Sequence, residues 1–150
     1  MKQILILKEN KGFSNPSGVF KSIQKINIDF SQENFLILCL NTKNKLLYSE
    51  VIFKGGLNCS LIDPKTLFRK ALLKNSNSII IAHNHPSGDL KPSNEDKEVF
   101  NKLKEIGKIL DLNVLDSIIF NKKDFYSMEE VLKWIKKIYF ISWLMREDLK

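Results

Sequence analysis

Two short apolar runs constrain the fold more than any other feature of this 150-residue chain. They occupy residues 35–40 and 78–82, and neither alternates with polar residues. An apolar run of this length is typical of a strand that is buried on both faces. We therefore predict a central sheet that is covered by helices on both sides.

Helix signals lie between these runs. Asn15-Pro16 and Asp63-Pro64 each place a capping side chain before a first-turn proline, and a third helix begins near Ser93. We expect these helices to bury apolar stripes, listed here in chain order: Val19, Phe20, Ile23 and Ile26; Leu67, Phe68, Ala71 and Leu72; Val99, Leu103, Ile106 and Leu110.

Further strands complete the predicted sheet. The segment from Leu46 to Phe53 forms a hairpin with the first apolar run, and short strands around 114–115 and over 117–120 follow the third helix. Strands and helices interleave throughout the chain. The predicted fold class is therefore α/β (α+β), a three-layer α-β-α sandwich around a mixed β-sheet.

The length is that of one domain with short additions at its ends. We predict an N-terminal strand and lead-in over 1–15, the principal domain over 16–130, and a C-terminal apolar helix over 131–150. Ser127-Met128-Glu129-Glu130 is a capping-box pattern that would start this helix. The helix is apolar on more than one face, so it either packs against the domain or forms a homo-oligomer or partner contact.

Charge and cysteine content say little about chemistry. The net charge is +7, but only Arg69 and Arg146 are arginine, so nucleic-acid binding is possible and weakly supported. Cys39 and Cys59 lie in apolar surroundings and are predicted to be buried thiols. Because no signal peptide or spanning segment is recognisable, we expect a soluble, cytoplasmic protein that has no membrane partner.

The second apolar run leads directly into the only two histidines, His83 and His85. Side chains two residues apart on a strand project from the same face of the sheet, so both imidazoles can bind one metal ion. Asp96 stands at the third position of the helix capped by Ser93, and Pro86-Ser87-Gly88 allows the chain to turn back towards the histidines. Ser93-x-x-Asp96 alone would be only a helix start. Two histidines and one carboxylate together form the composition of a catalytic zinc site with a position left for water.

These residues resemble the signature of the JAB, or MPN-plus, metalloprotease domain: His-x-His, seven residues, Ser, two residues, Asp. The string from His83 to Asp89 resembles the RadC branch of that family. The resemblance covers about 16–130. It is also carried by Glu33-x-Phe35, Asn41-Thr42-Lys43-Asn44, Gly55-Gly56 ahead of Asp63-Pro64, and Tyr126-Ser127.

The resemblance implies a zinc-dependent metallohydrolase that cleaves a peptide or isopeptide-like amide, with a peptide or protein as substrate. His83, His85 and Asp96 would bind Zn²⁺. Glu33 would be the catalytic base, and Ser93 would donate to the oxyanion. Spacing leaves Glu50 as an alternative base, because it also introduces an apolar strand.

The RadC resemblance also implies an alternative function, that of a DNA-repair-associated, nucleic-acid-binding factor with no peptidase turnover. Two departures from the family pattern stand out. We expect a stand-alone JAB domain without the helix-hairpin-helix segment that usually precedes it. The chain also carries Asp116-Ser117 where the family usually has Asp-His.

Overall fold

The computed structural model describes residues 12–55 and 62–130. Two strands form the centre of the fold, β1 (Asn34–Leu40) and β3 (Ser78–Asn84), and every residue of both is buried. They are antiparallel neighbours, with Phe35 opposite His83 and Leu40 opposite Ser78. The prediction of two buried central strands is confirmed.

The described sheet also contains β2 (Leu46–Lys54), β4 (Asn113–Phe120) and β5 (Phe125–Ser127). Its five strands lie in the order β2-β1-β3-β4-β5, and the sheet is mixed, as predicted. Only β3 and β4 run parallel. Residues 114–115 and 117–120 belong to one strand rather than two, and a three-residue strand over 125–127 was not predicted.

The predicted caps start three helices, α1 (Pro16–Ile23), α2 (Pro64–Leu73) and α3 (Asn94–Ile109). The side chains of Asn15, Asp63 and Ser93 each accept a backbone N–H of the first turn. Residues 128–130 are helical as well, and the Ser127 hydroxyl accepts the Glu130 amide at 3.1 Å. This is the helix start that the capping-box pattern predicts.

Helices cover both faces of the sheet, which confirms the three-layer architecture. Residues of α2 and α3 pack on one face against Phe35, Ile37 and Ile81. Residues of α1 pack on the other face against Leu36 and Leu38. Because neighbouring residues of a strand point to opposite faces, one buried strand serves both cores.

Two predicted core residues are exposed. Leu72 is 52% exposed, because α2 buries only the narrower stripe formed by Leu67, Phe68 and Ala71. Leu110 is 42% exposed, because α3 has ended and Asp111 turns the chain with φ of 54°. Leu112 takes the inward place instead and is 2% exposed, while Phe100 is the large core residue of α3 that the predicted stripe omitted.

Several predictions lie outside the described residues: most of the N-terminal strand over 1–15, the burial of Cys59, and the apolar helix over 131–150 with its oligomer contact. Cys39 is buried as predicted, and burial raises the pKa of its thiol. In the part of the chain that the structure describes, no helix is long and apolar enough to cross a membrane.

Candidate metal centre

The two histidines lie at the end of β3. His83 is the penultimate residue of the strand, between Phe35 of β1 and Ile119 of β4, and His85 follows the strand. Their Nε2 atoms lie 3.2 Å apart. This is the convergence expected when side chains two residues apart leave an extended chain on the same side.

A tight turn and a helix cap bring the chain back to the histidines. The Gly88 amide donates to the His85 carbonyl at 2.8 Å, and Gly88 has φ of 79°, a conformation that suits glycine. At the start of α3, the Ser93 hydroxyl accepts the Asp96 amide at 3.0 Å, and the Ser93 amide donates to Asp96 Oδ2 at 2.8 Å. This capping box fixes the direction of the Asp96 carboxylate.

The Asp96 carboxylate joins the two imidazoles. Its Oδ1 lies 3.1 Å from His83 Nε2, and its Oδ2 lies 3.1 Å from His85 Nε2. His83 and Asp96 are buried, and His85 is half-buried. One ligand atom from each residue lies within 4.8 Å of the others, so the group can hold a metal ion.

The hydrogen bonds of His85 suit a cation at this centre. Its Nδ1 donates to the Asp89 carbonyl at 2.8 Å, so in neutral His85 the Nε2 atom carries the lone pair. A lone pair that faces the Asp96 carboxylate needs a proton or a metal ion between them. In agreement, the hydrogen bond to Asp96 raises the pKa of His85 against the effect of partial burial.

Asp96 supplies the negative charge that a cation requires. Burial opposes its ionisation, but the hydrogen bonds from His83 and His85 outweigh burial and hold the pKa of this carboxyl well below its usual range. The His83 ring stacks against Phe35 with a centroid distance of 6.0 Å. An ionised carboxylate and two imidazoles fit a divalent metal such as zinc.

Glu33 lies just before β1 and is half-buried. Its backbone carbonyl accepts the Gly55 amide at 3.0 Å, which fastens this residue to the end of β2. After the contribution of Asp96, the negative charge of Glu33 is among the influences that raise the pKa of His85. The charge of Glu33 therefore acts on His85.

Glu50 lies in different surroundings, on β2 beside α2. Its carboxylate accepts Tyr48 Oη at 2.8 Å and the Lys70 ammonium at 2.7 Å. Burial and this hydrogen bond raise the pKa of Tyr48 to about 12. Across β1 and β2, Glu50 pairs with Ile37, which is two residues from Phe35, the β1 residue that pairs with His83. Its charge is thus engaged by a lysine.

Ser93 is exposed beside the centre. Its hydroxyl oxygen accepts the Asp96 amide, and its own proton has no acceptor among residues 12–55 and 62–130. The amide of Ser93 and the Nε2 of His85 both contact the same oxygen of Asp96. The side chain can therefore cap α3 and still donate a hydrogen bond outward.

Sequence reasoning missed Asn84, the residue between the two histidines. It is fully buried. Its Oδ1 accepts the backbone and side-chain N–H groups of Asn34 at 2.8 and 3.1 Å, and its Nδ2 donates to the Gln32 carbonyl at 3.0 Å. These bonds tie the segment that carries Glu33 to the strand that carries the histidines. A polar residue inside a buried strand was the only signal in the sequence.

A three-layer domain with two histidines at the end of its central strand, and an aspartate returned by the next helix, defines the class of JAB-like domains with a candidate metal centre. The comparison with protein families agrees. Residues 13–134 match the family model of the RadC-like JAB domain, and the chain belongs to that family.

Related proteins are similar over the same region. A UPF0758 protein of Staphylococcus haemolyticus is 44% identical over 117 residues, which are 78% of this chain and 51% of the relative. A UPF0758 protein of Halalkalibacterium halodurans is 45% identical over 100 residues, 67% of this chain and 43% of the relative. A Listeria innocua UPF0758 protein is 48% identical over 99 residues, which are 66% of this chain and 44% of the relative. The chain thus spans about half the length of these relatives.

Proposed function

We propose that this chain is a zinc-dependent metallohydrolase that cleaves a peptide or isopeptide-like amide bond in a peptide or protein substrate. The observation that carries the proposal is the convergence of His83, His85 and Asp96, with their ligand atoms within 4.8 Å of one another. Membership of the RadC-like JAB family supports it, as does the resemblance of His83, His85, Ser93 and Asp96 to the signature of the JAB metalloprotease domain.

His83, His85 and Asp96 would hold the zinc ion through two Nε2 atoms and one carboxylate. When bound, zinc supplies Lewis-acid chemistry, which acidifies a water molecule and polarises the carbonyl of the amide. The hydrogen bond from His85 Nδ1 to Asp89 keeps the His85 ring turned towards the centre.

Glu33 is the proposed base. Its carboxylate would take a proton from the attacking water and return it to the leaving nitrogen, so that an amine rather than an amide anion departs. Its place two residues before Phe35, the β1 residue that pairs with His83, supports this role. Glu50 would have to break its 2.7 Å ion pair with Lys70 to act in the same way.

Ser93 is the proposed hydrogen-bond donor to the carbonyl oxygen of the substrate as that oxygen gains negative charge. The support is that Ser93 is exposed beside Asp96, while its hydroxyl oxygen accepts the amide that caps α3. Ser93→Ala would remove both contributions, so the loss of turnover must be separated from the loss of helix stability.

Metal analysis combined with cleavage of an internally quenched peptide library tests the proposal. We expect zinc in the wild type, Glu33→Gln and Glu50→Gln proteins, and turnover lowered about 10²-fold or more in Glu33→Gln alone. Equal losses in both variants would contradict the assignment of the base. Zinc-loaded wild-type protein that cleaves no member of the library or protein conjugate would contradict amide hydrolysis.

A further inference from the structure

A cavity of about 360 Å³ opens beside His85. Its walls are Phe30, residues 85–88 and residues 121–123. His85 therefore belongs both to the candidate metal centre and to the lining of this cavity. A group that fills the cavity would lie next to the bond that the proposed reaction cleaves.

The β4–β5 turn is fastened to the turn that follows the histidines. Asn121 Nδ2 donates to the Gly88 carbonyl at 3.0 Å, and Asn121 Oδ1 accepts the backbone amides of Lys123 and Asp124, each at 2.8 Å. The Asn121 amide also donates to the Asp124 carbonyl at 3.0 Å. These bonds order the backbone of the turn that carries Lys122 and Lys123, and both lysines line the cavity.

The charged groups that line the cavity are cationic. Lys122 and Lys123 form no ion pair with any residue in 12–55 or 62–130, and the Lys122 ammonium lies 5.6 Å from the centre of the Phe30 ring. The Phe30 ring is itself held edge-on against Phe120 at 6.0 Å. The cavity thus combines an aromatic wall with two cations that have no counter-ion there.

Three carboxylates adjoin these segments in sequence, but none lines the cavity. Each accepts a nearby backbone amide instead: Asp29 that of Ser31, Asp89 that of Lys91, and Asp124 that of Phe125. They lessen the positive charge of the region without occupying the cavity.

We propose that this cavity is a substrate subsite that takes an acidic side chain, glutamate in particular, adjacent to the amide bond that is cleaved. The methylene groups of glutamate would pack on Phe30, and its carboxylate would pair with Lys122 and Lys123. The inference rests on the proposed function for its link to cleavage, whereas the binding preference can be measured separately.

Fluorescence anisotropy on the Glu33→Gln protein tests the binding step. The probes are fluorescein-labelled hexapeptide mixtures with glutamate, glutamine or lysine at one fixed central position. Since each exposed ion pair contributes a factor of up to about five, we expect glutamate to bind about five- to twentyfold more tightly than glutamine. The preference should shrink as NaCl is raised from about 50 to 300 mM.

Charge reversal supplies the specific test. In Lys122→Glu/Lys123→Glu the preference should shift from glutamate to lysine. Lys102→Glu/Lys108→Glu, which changes two exposed lysines of α3 by the same net charge, should keep the glutamate preference. Equal binding of glutamate and glutamine peptides, or an unchanged preference in the first variant, would overturn the subsite. The subsite would also be overturned if an oligonucleotide outcompetes the glutamate peptide for the protein and no longer binds to Lys122→Glu/Lys123→Glu.

The cleavage profile separates the two proposals. Cleavage of the quenched library without a glutamate preference would overturn the subsite and leave amide hydrolysis standing. Glutamate-selective binding without any cleavage would support the subsite and count against the proposed reaction.

Discussion

Replacement of Asn84 by alanine should destabilise the protein far more than a typical surface change. The side chain makes three hydrogen bonds and is fully buried. A buried Asn34 amide left unpaired costs about 1–3 kcal/mol, and the other two bonds contribute about 0.5–1.5 kcal/mol each. We therefore expect a loss of about 2–6 kcal/mol, or a Tm lowered by roughly 4–24 °C.

Asn121→Ala is the matched control. Asn121 also makes three side-chain hydrogen bonds, but it does so on an exposed turn where water can replace them. Its loss should be about 1 kcal/mol or less. Urea denaturation of both variants measures the difference, and amide hydrogen exchange should accelerate at Asn34 and Gly55 only in Asn84→Ala. Equal losses of stability in the two variants would refute the reasoning.

Two further predictions concern a helix contact and a titrating group. Gly107→Ala should lower the free energy of unfolding by about 1–3 kcal/mol, because the added Cβ would lie 2.4 Å from the Leu112 carbonyl oxygen. The control Gly18→Ala should be neutral or stabilising, because no atom lies nearer than 3.7 Å to the added Cβ. Urea denaturation that finds Gly18→Ala less stable than Gly107→Ala would contradict this. In metal-free protein, the raised pKa of His85 means that its contribution to stability is fully present below about pH 6.5 and is lost as the pH rises through the raised value. Urea midpoints in EDTA should therefore fall more between pH 5.5 and 8.5 in the wild type than in His85→Gln, and parallel profiles would contradict the assignment.

Local patterns were sufficient to predict the layers of the fold. The run over 35–40 and the run over 78–82 are buried strands, as expected of short runs that do not alternate with polar residues. Asn15, Asp63 and Ser93 cap helices because their side chains bond to amides two or three residues away. Such interactions are short-range, so they can be predicted from the amino-acid sequence alone.

Features that depend on distant partners were not predictable in the same way. Leu110 continues the α3 stripe in sequence, but the chain turns at Asp111 and Leu112 fills the core instead. The three-residue strand over 125–127 is too short to show a period of its own. Its place depends on pairing with β4 rather than on its own pattern.

The candidate site likewise combines features set by nearby residues with features that depend on distant partners. The spacing of His83, His85 and Asp96 is local, and the turn and cap between them are readable from the sequence. The difference between the surroundings of Glu33 and Glu50 depends on a lysine 20 residues from Glu50 and on the pairing of β1 with β3, which places Phe35 opposite His83. Asn84 acts through partners 50 and 52 residues away, which spacing cannot reveal.

Metal stoichiometry of the purified protein tests the central claim most directly. Elemental analysis after zinc loading and desalting should give about one zinc per chain in the wild type and in Glu50→Gln, and none in His83→Ala or Asp96→Asn. The zinc-loaded wild type should also unfold at a higher temperature than the same protein in EDTA. The account would be contradicted if the wild-type protein holds no stoichiometric zinc and His83→Ala changes neither the metal content nor the stability.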